Sequence, residues 1–320
     1  MPQGQHYVPR IYLQRFAYSE NGDLWGLRVK RNYPGRNPNP KQYNKSEICK
    51  LTDFYNFNDI ANLHEKKALE VNYIEQYGFP YENNELKRVF DALESRQAFF
   101  HSNAYRLLVI LFNLKRRNPT YLNLILNHPI ESLDRFVDQE VGKLKQDFAD
   151  AELENLPVDF EGVKEDQKSK LRNDGHRSDM HKNMLIDTQQ VNDEGERERI
   201  SKFLSFHFTL YSTTVAMPFV TSDNPGFTLA KENQVFNLEI GHTHTMVFPI
   251  SCLSALVINF KVDPEYSNRL IYKNIHRKNA EPSAVDIINQ GTACSCMEYI
   301  YGLTPDSLII AHESWLRTNS

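Results

Sequence analysis

Two hydrophobic periods divide the chain. Leu24 to Lys30 alternates apolar and polar positions, and Asn21-Gly22 supplies an entry turn, so a strand is expected there. Tyr33 to Asn44 is rich in Pro, Asn and Gly and reads as a loop. Asp59 can cap a helix starting at Ile60, in which Ala61, Ala68, Leu69, Val71 and Ile74 fall near helical spacing until Gly78-Phe79-Pro80 stops it. The widest apolar stripe lies between Glu85 and Lys115. Val89, Phe90, Leu93, Phe100, Ala104, Leu107, Leu108 and Leu111 carry it and predict one long helix. Asn118-Pro119 ends or kinks that helix. A short helix from Pro119 to Asn127 and a longer one from about Pro129 to Leu153 follow.

Pro157 to Asp193 is the most polar stretch, read either as helices or as a mobile excursion, and Glu194 to Leu204 reads helical. The period then changes to two. Phe206, Phe208 and Leu210 alternate with His207, Thr209 and Tyr211. Phe227 to Ala230, Thr245 to Ile250 and Ala255 to Phe260 complete an antiparallel meander. Pro282 to Thr292 predicts a helix and Glu298 to Tyr301 a late strand. Strands therefore bracket a helical block at about 58–204. The expected class is α+β, with a mostly antiparallel sheet built from the N- and C-terminal segments. One domain over 1–320 is expected, with 157–193 as its most mobile part.

Composition narrows the function classes. The chain has 320 residues, 40% hydrophobic and 24% charged, which excludes a disordered polymer. A net charge of −4 excludes a globally basic nucleic-acid binder and leaves room for a local basic groove. The longest strongly apolar run, Leu107 to Leu114, is far shorter than the roughly 20 residues of a membrane span, so no membrane partner is expected. The opening Met1-Pro2-Gln3-Gly4-Gln5-His6 lacks a secretory profile, and the cysteines form no CxxC pair. A cytoplasmic protein with reduced thiols is the expectation. Alternation of strand and helix around a glycine-rich phosphate loop is absent, as are G-x-S-x-G, HExxH and internal repeats.

The densest motif is Gln5-His6-Tyr7-Val8-Pro9-Arg10-Ile11-Tyr12-Leu13-Gln14-Arg15-Phe16. A titratable His6 beside a Pro-restricted backbone and Arg10 could set a general base near an anion-binding cation; its plainer reading is a structural histidine at a sheet edge. Thr221-Ser222-Asp223-Asn224-Pro225 reads first as a side-chain-stabilised turn, and second as a carboxylate and an amide facing a cleft at a strand end. Asp223 could orient His6, bind a metal or hold a water. Arg116 and Arg117 fit either a phosphate grip or dipole compensation at a helix C-terminus. His242-Thr243-His244 has the spacing of two ligands on one strand face but shows no third. Cys294-Ser295-Cys296 is likewise incomplete, and Glu70 with Glu75 reads as a solvated helix face.

The opening motif resembles the uncharacterised microbial family catalogued as domain of unknown function four-two-three-eight, whose members begin His-Tyr-Val-Pro, then an aromatic, Tyr-Leu and Phe. Phe219-Val220-Thr221-Ser222-Asp223-Asn224-Pro225 is similar to its Ile-Thr-Ser-Asp-Asn-Pro segment, and Phe248-Pro249-Ile250-Ser251 to its Phe-Pro-Leu-Ser strand. Asn289 sits where the family tends to have an Asn before its last strand, and Arg116-Arg117-Asn118-Pro119 is similar to its Arg-Thr-Pro helix end. The resemblance implies one domain and supplies no activity.

These residues support a phosphodiesterase or nuclease with His6 and Asp223 as catalytic groups and Arg10, Arg117 and Asn224 as substrate-binding groups. Nucleic acid is the partner class this reading names. A divalent metal is compatible but not indicated by ligand spacing. The competing reading is a non-catalytic ligand- or protein-binding module in which the same motifs are structural or recognition elements.

Overall fold

The structure is a computed structural model that describes residues 4–29, 38–52, 54–55, 79–151, 157–190, 194–230, 234–237, 245–266 and 271–319. Strand β1 (Gly4–His6) leads through Pro9 into α1 (Arg10–Gln14), then β2 (Asp23–Arg28), β3 (Lys41–Asn44) and β4 (Lys50–Thr52). Helices α2 (Phe79–Glu94), α3 (His101–Arg116), α4 (Pro119–Leu126), α5 (Ile130–Asp150), α6 (Phe160–Arg172), α7 (Asp174–Gln190) and α8 (Glu194–Leu204) follow. Next come β5 (Phe206–Ser212), β6 (Thr221–Ser222), β7 (Phe227–Leu229), β8 (Val235–Asn237), β9 (Thr245–Ser251), β10 (Ser254–Val262) and β11 (Ile275–Asn279). The order closes with α9 (Pro282–Ser295), β12 (Tyr299–Gly302) and α10 (Pro305–Asn319).

The class is α+β with mostly antiparallel sheets. A six-stranded sheet runs β11-β5-β10-β9-β7-β8, antiparallel except where β11 joins β5. A four-stranded sheet runs β3-β2-β12-β6, and β1 pairs with β4. The first and last parts of the chain meet because β12 pairs with β2, Ile300 opposite Leu27. Tyr12 adds a second tie: its hydroxyl donates to the Pro249 carbonyl at 2.8 Å and lies 2.8 Å from Thr221 Oγ1.

The apolar stripes explain the layers. Leu86, Val89, Phe90 and Leu93 of α2 and Leu107, Leu108 and Leu111 of α3 share one core with Phe208, Phe248, Leu256 and Ile258 of the larger sheet. Val285 and Ile288 of α9 join a core with Phe227, Val247 and Ala255, while Ala293 and Cys296 join Leu27, Ile300, Leu308 and Trp315. Gly291 lets α9 approach closely, since a Cβ there would overlap the Phe227 ring.

Two expectations change. The stripe from Glu85 to Lys115 is two helices, α2 and α3. Arg277 Nη2 donates to the Leu93 carbonyl at 2.8 Å and to the Ser95 carbonyl, taking the carbonyls that a continuous helix would use. Beyond the break, Lys273 N donates to Phe99 O at 2.8 Å and His101 N to Ile271 O at 2.9 Å. The expected loop from Tyr33 to Asn44 ends in β3, where Tyr43 packs edge-on against Tyr299 and Tyr301. The polar stretch 157–193 forms α6 and α7 over its described residues. The helix expected from Ile60, the Glu70–Glu75 pair and the His242–His244 pair lie outside the described residues.

Candidate functional site

The C-terminal end of α3 is the meeting point of the motifs. Lys115, Arg116, Arg117 and Asn118 are all buried there. Successive helical residues project about 100° apart, so the group reaches several elements. Lys115 Nζ donates to Asn224 Oδ1 at 2.5 Å and to the Gly226 carbonyl at 3.0 Å. Arg117 Nη2 donates to the His6 carbonyl at 2.5 Å, and its guanidinium carbon lies 5.9 Å from the centre of the Tyr55 ring. The Arg116 carbonyl accepts from His181 Nε2 at 2.6 Å. Asn118 caps α4 by accepting from Thr120 N at 2.9 Å, while its Nδ2 donates to the Asp223 carbonyl at 2.6 Å.

Asp223 and Asn224 turn out to be fully committed to this junction. One Asp223 carboxylate oxygen accepts from Met297 N at 2.7 Å; the other accepts from Glu298 N at 2.8 Å and Tyr299 N at 2.9 Å. The carboxylate thus satisfies the backbone amides between α9 and β12. Asn224 Nδ2 donates to the Ser295 carbonyl at 2.7 Å, and Asn224 N donates to Ser222 Oγ at 3.1 Å. Gly226 closes the turn at φ 81°, where a Cβ would come within 2.5 Å of the Phe248 ring. Both side chains are buried, at 2% and 1% exposure, so the expected cleft-facing carboxylate is corrected to a buried acceptor of backbone amides.

His6 shares this region through its backbone and faces elsewhere with its side chain. Its Nε2 donates to the Ser46 carbonyl at 3.3 Å, a bond that requires the tautomer leaving Nδ1 as an acceptor. The expected carboxylate partner would raise the imidazole pKa. Instead the pKa is pushed down to about 4, first by burial, then by the positive charges of Arg10, Lys50 and Arg117. Lys50 stands directly opposite His6 in the β1–β4 pair. Arg10 opens α1 and is exposed, as is Lys50, while His6 is half-buried. His6, Arg10 and Arg117 are therefore gathered together, with Lys50 added. Asp223 and Asn224 lie across Arg117 and Asn118 in the buried junction.

Burial dominates the titration of that junction. It pushes Lys115 down to about 7 against the opposing attraction of Asp223, and pushes Asp223 up to about 6 against its three amide donors. The thiol of Cys49 bonds the hydroxyls of Tyr7 and Tyr301, and burial raises all three groups. Cys49 adopts φ 54°, a strained conformation for a residue with a Cβ, and its carbonyl accepts from Tyr7 N at 2.9 Å.

Sequence reasoning passed over Lys115, which reads as an ordinary cation near a helix end, and Lys50, whose position depends on strand pairing. It also passed over the buried Arg177, His181 and Lys182 of α7. A faint signal lay in α7 itself: a helix that polar is stable only when its polar groups find partners. Cys294 is half-buried, and buried Cys296 donates its thiol to the Ala293 carbonyl at 3.1 Å. Among the described residues, no group of three or more His, Cys, Asp or Glu side chains is placed to hold a metal ion, and no helix is long and apolar enough to cross a membrane.

A family model described as "Protein of unknown function (DUF4238)" matches residues 4–306. No curated protein and no solved structure matches the chain.

Proposed function

From the premise that the chain belongs to the family of unknown function DUF4238, we propose that it recognises a phosphate-bearing ligand on the His6 face, with nucleic acid as the ligand class. One observation carries this reading. The charges that depress the His6 pKa are those of Arg10, Lys50 and Arg117, and two of these cations are exposed. A phosphate placed there would gain attraction from the cations. Asp223 and Asn224 serve this function by fixing the junction that holds Arg117. The four cysteines, none of them joined in a disulfide among the described residues, support a reducing, cytoplasmic setting.

A second reading, phosphodiester cleavage, is favoured by the neutral state of His6 and by its acceptor Nδ1. In that reading His6 takes a proton from the attacking nucleophile and Arg10 and Lys50 stabilise the charged phosphate.

Fluorescence anisotropy with a labelled single-stranded oligonucleotide, titrated against salt, tests the proposal. Saturable binding is expected, with the salt slope falling by about 0.7 for each of Arg10→Ala and Lys50→Ala. No saturable binding, or slopes unchanged by both variants, would refute it. Gel analysis of the same mixtures separates the readings: cleavage lost in His6→Ala supports catalysis, and an intact oligonucleotide supports recognition alone.

A further inference from the structure

Helix α7 is built against the usual rule for buried surfaces. Its buried side chains include Arg177, Asp179, His181, Lys182 and Asn183, with Leu185 the apolar member among those described. Lys182 Nζ pairs with Asp179 at 3.1 Å. His181 is fixed on the Arg116 carbonyl and feels the charges of both Lys182 and Arg116, so the α7 and α3 cations converge around its ring. Arg177 lies one turn before His181, and residues four apart share a helix face.

Arg177 is the exception within this group. Its side chain is 7% exposed, and Nη2 donates to Asp174, whose side chain is 78% exposed at the surface. Its Nε and Nη1 are buried and find no hydrogen-bond partner among the described residues. Buried donors in folded proteins are almost always paired, and an unsatisfied charged donor is more costly than a neutral one. A group with several acceptor oxygens and negative charge answers both requirements.

We propose that Arg177 marks a binding site for a free, phosphate-sized oxyanion, just below the surface where α7 meets the end of α3. His181 lines the same helix face, and Asp174 sits at the rim. The site goes beyond the His6 reading and does not depend on it. Its depth selects a small anion, since a polymer strand cannot follow its phosphate beneath the surface.

The test is thermal unfolding of the full chain in phosphate-free buffer, with inorganic phosphate added at matched ionic strength. Phosphate at about ten times its dissociation constant should raise the wild-type Tm by roughly 2 °C, and sodium chloride should not. Arg177→Met should abolish that rise. It should also leave the phosphate-free Tm equal to or above the wild-type value, because it removes two buried donors unpaired among the described residues, along with an ion pair of small worth whose carboxylate is exposed. His6→Ala should keep the full phosphate response, which separates this site from the His6 face. Three results would each overturn the proposal. One is a wild-type Tm indifferent to phosphate. Another is an Arg177→Met variant that still responds or unfolds without phosphate. The third is stabilisation by a 5′-phosphorylated dinucleotide in place of free phosphate.

Discussion

The two sides of the C-terminal end of α3 solve the same problem differently. On one side, Lys115 and Asn118 meet the Ser222–Pro225 turn, and the polar atoms of Asp223 and Asn224 described there are matched donor to acceptor. On the other, α7 packs against the same helix end, and Arg177 keeps two buried donors unmatched among the described residues. Both sides are buried and both hold cations. Satisfied buried networks specify a fold, while incomplete ones call for a partner. The Asp223-Asn224 turn therefore serves the framework, and the proposed ligand contacts fall to the exposed cations around His6 and to Arg177.

The largest expected effect comes from Asp223→Ala. It leaves three backbone amides without acceptors, so urea denaturation should show a loss of about 3 kcal/mol. A loss within about 0.5 kcal/mol, the range of an ordinary surface change, would put Asp223 outside the framework.

Lys115→Met should cost about 2 kcal/mol by removing the Lys115 hydrogen bonds to the Asn224 side-chain oxygen and the Gly226 carbonyl. Its pH dependence has a definite sign. Lys115 titrates near 7 when folded against its ordinary 10.5, so the unfolded chain holds more protons between those values. The wild type should gain stability relative to Lys115→Met as pH rises from about 7 to 10.5. Asp223 acts in the opposite direction: its folded pKa is raised from 3.8 to about 6, so its contribution falls as pH rises through that window. Denaturation midpoints at several pH values check both signs.

A smaller loss, about 1–2 kcal/mol, is expected for Asn118→Ala, which removes the α4 cap and the bond to the Asp223 carbonyl. His6→Gln should have the smallest effect near neutral pH. The folded His6 pKa of about 4 lies below its ordinary 6.5, so the wild type should lose stability relative to this variant as pH falls through that range. An unchanged difference across the range would mean that His6 is not held among cations.

The broad architecture was legible because period and turn chemistry are local. Leu24 to Lys30, Pro119 to Asn127 and the alternating strands after Leu204 each announce their own structure. The break between α2 and α3 was hidden because Arg277, far along the chain, takes the Leu93 and Ser95 carbonyls while the apolar stripe continues on both sides. The site was half legible. His6, Arg10 and Arg117 do gather, since the motif carries its own cation and Arg117 grips its backbone. The role of Asp223 depended on amides 74–76 residues away, which no local pattern reports. Lys50 depended on strand register, and Arg177 on the packing of a helix with almost no apolar stripe.

One paired measurement tests the contrast most directly: urea denaturation of Lys115→Met and Arg177→Met in the same phosphate-free buffer at neutral pH. Each replaces a buried cation by the same apolar side chain, one on each side of α3. The account predicts a clearly lower midpoint for Lys115→Met and a midpoint equal to or above wild type for Arg177→Met. Equal losses in both variants, or a loss confined to Arg177→Met, would contradict it.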